Sequence, residues 1–267
     1  MKRSPRLPTL SLLGRDLLET SPGQRRVTLA RPFVLVAVYA LLCATGYWWA
    51  TPLVVFLIFV AIVTSAHDVV HGALGLTRRQ TEWALFGCGA VLLASGHSYR
   101  ASHLQHHRVF PGPDDPEGDP ARMTLWGAVR HGPVFLPLLW FWSWKRSSRY
   151  ERGWLAAEAA WAFTVVAAGI ALWPITRGVL VYALLVHAGA WVFPLLTVHL
   201  PHRNYGDTPF TQTHTLRGRL VPALFLELTY HLEHHLYPQV PSHNLARLSQ
   251  RLEPVFREAG VVPWQVP

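Results

Sequence analysis

The chain has 267 residues, of which 51% are hydrophobic and only 15% charged, with 12 Trp and a formal charge of +9. That balance lies outside the ordinary soluble range, and the two cysteines, Cys43 and Cys88, sit in apolar runs without a CxxC spacing, which excludes a disulfide scaffold. The basic residues are spread through loops rather than gathered with aromatics in one patch, which argues against nucleic acid as a partner.

Residues 1–31 are predicted to form a basic segment with an amphipathic stretch from Leu10 to Leu18. From Pro32 to Ala66 no residue is charged. As one helix this run would reach about 50 Å, against a hydrocarbon core of roughly 30 Å, so it must fold back. Trp48-Trp49-Ala50-Thr51-Pro52 is the place, because aromatics suit the membrane interface and Pro disfavours helix continuation. Residues 32–71 therefore read as a first hairpin. In the segment 72–152, the apolar stretches Trp83 to Ser95 and Val134 to Trp144 hold about a dozen residues each, below the ~17 needed to cross, and are predicted as interfacial helices. A second hairpin, 153–198, pairs Trp154 to Trp173 with Val179 to Val198 across the turn Pro174-Ile175-Thr176-Arg177-Gly178. Residues 199–267 close the chain, with Leu245, Leu248, Leu252 and Val255 at helical spacing.

The expected fold class is all-α and integral to a membrane: four transmembrane helices in two hairpins, interfacial helices, and a cytoplasmic helical cap. No internal repeat or flexible linker divides it, so residues 1–267 read as a single domain. Of 24 Lys and Arg, 7 precede Phe33, 10 lie between His71 and Gly153 and 6 follow His199, which puts those three segments on the cytoplasmic side. Arg outnumbers Lys and Ala is abundant, which suggests a bacterial gene of high G+C content and hence an inner membrane.

Fifteen histidines are many for this length, and three groups of them stand out. His67-Asp68-Val69-Val70-His71 closes the second span; His103-Leu104-Gln105-His106-His107 follows in the central segment; His231-Leu232-Glu233-His234-His235 lies near the C-terminus. On a helix, residues at i, i+3 and i+4 share a face, so HxxHH presents three imidazoles in one direction and HxxxH presents two. That supply of donors exceeds the needs of one tetrahedral zinc site and suits two ions that keep open positions for a small molecule. Imidazole alone does not select the metal. His187, near mid-span, reads as a structural polar residue. His97, His131, His214 and His243 have no partner at ligand spacing and read as loop or supporting residues. The run Asp114-Asp115-Pro116-Glu117-Gly118-Asp119 lacks an EF-hand register and reads as an acidic loop.

The three groups, with the run Tyr230-His231-Leu232-Glu233-His234-His235-Leu236-Tyr237-Pro238, resemble the histidine boxes of the membrane fatty acid desaturase superfamily, and the likeness extends from Ser65 to Leu248. The resemblance implies a non-haem centre of two iron ions, O2 as oxidant and a site facing the cytoplasm, with His67, His71, His103, His106, His107, His231, His234 and His235 as ligands. It also implies one further ligand before the third box; His202 is the first candidate and His199 the second. Asp68 and Glu233, inside the boxes, are candidates for carboxylates that orient metal-bound imidazoles.

Electrons must come from outside, since the chain has neither an iron–sulfur cysteine set nor a GxGxxG fingerprint; an external ferredoxin or cytochrome is the expected partner. Fatty acyl desaturation is the first reading of the reaction. Carotenoid ring hydroxylation or ketolation is the second, favoured by the compact length and by Leu200-Pro201-His202-Arg203, which resembles the Pro-His-Arg element of those oxygenases. A membrane metal-binding or transport protein is the non-enzymatic alternative; transporters place polar ligands at mid-membrane, whereas these boxes sit at its edge.

Overall fold

A computed structural model describes residues 5–267, so the first four residues of the basic N-terminal segment lie outside it. The described chain is mostly helical. Its principal helices are α1 (Pro22–Thr45), α2 (Thr51–Val70), α3 (Arg78–Leu92), α4 (Gly96–Val109), α5 (Leu125–Arg146), α6 (Arg149–Ala171), α7 (Gly178–Pro194), α8 (His231–Leu236) and α9 (Leu245–Ala259). The one sheet among the described residues is a parallel pairing of Leu216–Arg217 with Trp264–Gln265.

Helix starts follow side-chain chemistry. Ser21, Thr77 and Ser148 each form a capping box with the Gln or Glu three residues on, satisfying amide donors that have no partner inside the helix. α1 stops at Gly46, whose φ of 81° is left-handed backbone that glycine adopts at little cost. A 3-10 turn at Trp48–Ala50 then leads into α2, so the chain reverses where the aromatics and Pro52 predict.

Four helical stretches among the described residues are long and apolar enough to cross a membrane: Arg15–Thr45, Trp48–Val70, Arg149–Ala171 and Gly178–His202. They are not equivalent. The apolar window of the second is 78% buried within the protein, against 17%, 17% and 22% for the others. α2 is therefore the central post, and the remaining three turn most of their surface outward. Val55, Ile58 and Ile62 of α2 pack with Tyr39 of α1, Cys88 of α3 and Val186 of α7.

Two expectations change. α1 begins at Pro22 and runs through Pro32, the expected start of the first hairpin. Proline has no N–H to bond the carbonyl four residues back, here Thr28, and that carbonyl instead accepts from Ser65 Oγ of α2 at 2.7 Å. The interfacial piece expected at Val134 to Trp144 belongs to α5, a helix of 22 residues that contains Pro133 and Pro137. The carbonyl released by Pro133, that of Val129, accepts from Trp191 Nε1 of α7 at 2.6 Å. In both cases a neighbouring helix supplies the donor that proline removes.

The C-terminal region forms a second core. Leu245, Leu248 and Leu252 of α9 are fully buried against Leu232 of α8 and Leu17 from the N-terminal segment, so the two ends of the chain close over the third histidine group.

Candidate metal centre

Each histidine group arrives on its own element. His67 lies in the last turn of α2 and His71 caps it. His103, His106 and His107 line one side of α4, and His231, His234 and His235 make up half of α8. After Pro194 the backbone of α7 widens into a π-helical turn, Leu195–His199, and a short turn Leu200–His202 follows, carrying His199 and His202. Insertions of this kind re-aim the side chains beyond them.

The imidazoles converge into two clusters. Ring nitrogens of His67, His71, His103 and His234 lie within 4.8 Å of one another, as do those of His106, His202 and His235. His107 adjoins the first, its Nε2 standing 2.8 Å from His234 Nε2 and 3.2 Å from His103 Nε2. His231 adjoins the second, with its Nε2 3.1 Å from His202 Nε2. The rings of His107 and His235 are 4.3 Å apart between centroids, so the clusters share a wall. His199 joins neither; its Nδ1 donates to the Pro120 carbonyl at 2.9 Å. Of the two candidates for the additional ligand, only His202 is brought in.

The outer nitrogens explain the inner ones. His103 Nδ1 donates to Glu117 Oε2 at 3.1 Å, His106 Nδ1 to Asp115 Oδ2 at 2.7 Å and His202 Nδ1 to the Gln212 carbonyl at 3.0 Å. In a neutral imidazole the other nitrogen then carries a lone pair. Nevertheless His106 Nε2 faces His202 Nε2 at 3.3 Å, lone pair to lone pair. Burial holds His103, His107, His234 and His235 well below the usual histidine range, aided by repulsion among the rings, and pushes His71 down to about 2 and His231 to about 3. Neutral rings are the form that binds metal. Nitrogens about 2.1 Å from a shared ion stand about 3.0–3.4 Å apart, close to the spacings seen here. Nε2 of His71 and of His235 are buried and have no hydrogen-bond partner. Cations inside the two clusters would turn these repulsive or orphaned lone pairs into ligands, so the residues fit a pair of metal ions.

Asp68 and Glu233 do not orient imidazoles. Asp68 accepts from the Ser242 amide at 3.0 Å and from Ser242 Oγ at 2.8 Å, and stands 3.6 Å from His67 Nδ1, too far for a hydrogen bond. Glu233 accepts from Ser249 Oγ of α9. Burial pushes its carboxyl up, opposed by hydrogen bonds and by Arg217. The orienting role falls to Asp115 and Glu117, in the segment expected to be only an acidic loop. Both are buried. Burial pushes Glu117 up to about 7, against His106 and the Ser102 hydroxyl, which pull it down. The sequence signal for this pair was weak: two carboxylates shortly after the second box, without helical spacing.

His214 stacks on Trp264 and donates from Nε2 to the Arg203 carbonyl at 2.7 Å, beside the second cluster but outside it, and His243 reaches the Glu19 carbonyl. A cavity of about 790 Å³ opens between the helices, walled by Ile62, Val63, Leu136, Ala162, Leu184 and Phe193. Tyr99 also lines it, and its ring stacks on His103 at 4.8 Å, which puts the cavity one aromatic ring away from the first cluster.

The family model described as fatty acid desaturase matches residues 46–267. A β-carotene ketolase of Paracoccus sp. strain PC1 is 28% identical over 225 residues, covering 78% of this chain and 78% of that protein. A β-carotene ketolase from a second Paracoccus strain is 27% identical over 195 residues, covering 68% and 71%. Dihydrorhizobitoxine desaturase of Bradyrhizobium elkanii is 24% identical over 260 residues, covering 80% and 71%.

Proposed function

Because the chain belongs to the fatty acid desaturase family, whose relatives mark it as an oxidoreductase, we propose that it uses O2 and two iron ions to oxidise an unactivated C–H bond of an apolar substrate dissolved in the membrane. The observation that carries this reading is the meeting of neutral, inward-facing imidazole nitrogens beside an apolar cavity between membrane-type helices. His67, His71, His103 and His234 would hold one ion and His106, His202 and His235 the other, with His107 beside the first set and His231 beside the second. When bound, the iron pair would activate O2, the oxidant, for attack on the C–H bond.

The protein's own residues do the rest. Asp115 and Glu117 keep the Nδ1 protons of His106 and His103 outward, so that their Nε2 lone pairs face the centre. Phe59, Tyr99 and Phe193 close the cavity where it approaches the clusters and exclude water there. The same wall fixes which substrate carbon comes nearest, and so decides between removal of a second hydrogen and insertion of oxygen. Electrons are supplied by an external ferredoxin or cytochrome, and the site faces the cytoplasm of a bacterial inner membrane under a helical cap, with residues 1–267 acting as one domain.

For the substrate, two β-carotene ketolases among the relatives, together with Leu200-Pro201-His202-Arg203, favour oxygenation of a carotenoid end ring. A cavity walled in part by spanning helices accepts a molecule from the bilayer without a water-soluble carrier. Acyl desaturation is the second reading, favoured by the family match itself. The chain is to be expressed in a host that makes both pools, followed by chromatography of pigments and fatty acids. More polar pigments with unchanged acyl chains support the first reading; new acyl double bonds with unchanged pigments support the second. Full turnover by the purified chain given only a nicotinamide cofactor and O2 would remove the external electron donor.

A further inference from the structure

A second buried polar network lies where α3, α4 and α6 meet, and the chemistry above does not use it. Both ring nitrogens of His97 face carboxylates: Nδ1 is 2.8 Å from Glu158 Oε1 and Nε2 is 2.8 Å from Glu82 Oε2. Arg100 donates to both Glu82 oxygens, at 3.0 and 3.4 Å, and Trp154 stacks on the His97 ring at 4.9 Å. Glu158 also accepts from the Gly96 amide at 3.1 Å and from the Ser95 hydroxyl. The side chains of His97 and Glu158 are 2% and 0% exposed. Burying ionisable groups is costly, and well-packed apolar residues commonly serve stability at least as well, so stability alone is a poor account of the network.

The backbone is shaped around the Glu158 carboxylate. A Cβ on Gly89 would lie 3.0 Å from Glu158 Oε1 and 2.9 Å from the Gly96 nitrogen, and one on Gly96 would lie 2.3 Å from the Leu85 carbonyl oxygen. Two glycines thus let α3, the start of α4 and the carboxylate close on one another. Ser95 and Gly96 are the cap and first residue of α4, the helix that bears His103, His106 and His107. A carboxylate there satisfies a free amide group, that of Gly96, and is favoured by the positive end of the helix dipole.

We propose that Glu158, acting with His97, is a positioning residue for the second histidine group: it pins the amino end of α4 so that His103, His106 and His107 meet the imidazoles arriving from α2, α8 and the turn after α7. His103 lies about 10 Å along the helix from Gly96. With side-chain tips about 6 Å from the helix axis, a rotation of about 20° displaces a ring nitrogen by about 2 Å, as long as a metal–nitrogen bond. Small errors at the helix start therefore matter at the ligands. Glu158 also lines the cavity, so the same contact sets the cavity wall and the ligand helix together.

The inference rests on the imidazole clusters being an iron centre, and the test separates the two. Wild type, Glu158→Gln and Glu158→Ala are to be purified in detergent, loaded with 57Fe, and measured for iron per chain, Mössbauer spectrum and thermal unfolding. The glutamine variant keeps one acceptor oxygen, for Gly96 and His97, removes the negative charge, and turns an amide NH2 toward Ser95 Oγ in place of the second oxygen. The expected result is a folded glutamine variant with an altered Mössbauer spectrum and iron affinity reduced roughly 10-fold, and a larger loss, approaching 100-fold, for alanine. Either variant folding normally with wild-type iron content and spectrum overturns the proposal. A glutamine variant that cannot be obtained folded also overturns it, since the network would then hold the whole fold rather than place one helix. Wild type that binds no iron sinks the metal reading instead.

Discussion

The imidazoles of the second histidine group and those of the first and third are held by different means. His103 and His106 each give a proton to a buried carboxylate, Glu117 and Asp115. Nδ1 of His67 and of His234 is buried without a hydrogen-bond partner, and the carboxylates beside them in sequence bond elsewhere. Asp68 and Glu233 tie α2 and α8 to the C-terminal region through Ser242 and Ser249. Successive helical residues point about 100° apart, so a carboxylate next to a ligand in the chain cannot face the same ring. A loop that folds back can. Ring orientation in the second group is thus a hydrogen-bonding matter, and in the other two it is a matter of packing.

The sharpest cut is at a ligand. His234 Nε2 stands 2.8 Å from both His67 Nε2 and His107 Nε2, so it joins all three groups. His234→Ala is expected to lose at least one iron and to lower turnover by more than about 100-fold, beyond the effect of any supporting residue. Iron analysis beside product formation checks this, and retention of both ions would remove His234 from the centre.

The comparison itself is tested one step outward. Asp115→Asn is expected to weaken iron binding by roughly 10- to 100-fold, because an amide can turn its donor toward Nδ1 and unsettle the ring. Asp68→Asn is expected to leave iron affinity within about threefold of wild type while lowering stability by about 1–3 kcal/mol, the cost of disturbing buried hydrogen bonds. Competition with a chelator and denaturant unfolding of the metal-free chain give the two numbers for each variant. Equal loss of iron affinity in both would erase the distinction.

Much of this arrangement was legible in the sequence because helical periodicity is local. HxxxH and HxxHH declare which rings share a face before any fold is known, and Trp48 to Pro52 declares where a run too long for the membrane must turn. What stayed hidden depends on chain segments distant in sequence. Pro32 read as a helix start because nothing local reveals that Ser65 takes up the carbonyl it frees. α5 was legible only in part, because its apolar run from Val134 to Trp144 holds about a dozen residues, while the continuity of the helix through Pro133 relies on Trp191. Asp115 and Glu117 carry no periodic signal, as they reach back over α4 from a loop, and Glu158 sits in the apolar run of α6 that follows Gly153, where its partners cannot be guessed.

The smallest effect is expected at the rim of the packed side of the comparison. Arg217 donates to Ser249 and to Glu253, and its guanidinium stands 4.0 Å from Glu233. The Arg217 hydrogen bond holds the Glu253 carboxyl below its usual 4.5. A carboxylate whose folded pKa is depressed contributes stability above the unfolded pKa and loses it as pH falls through the folded value. Glu253→Gln should therefore unfold slightly more easily than wild type near neutral pH, with the gap closing on acidification below about 4.5 and shrinking in high salt, as exposed pairs do. Thermal unfolding across pH at two ionic strengths measures it. Arg217 keeps Ser249 in the variant, so Ser249 remains in reach of Glu233 and α8 should stay in place. A large loss insensitive to salt would mean that Glu253 helps hold the third histidine group, and that a hydrogen-bonded support of the kind found behind α4 operates here as well.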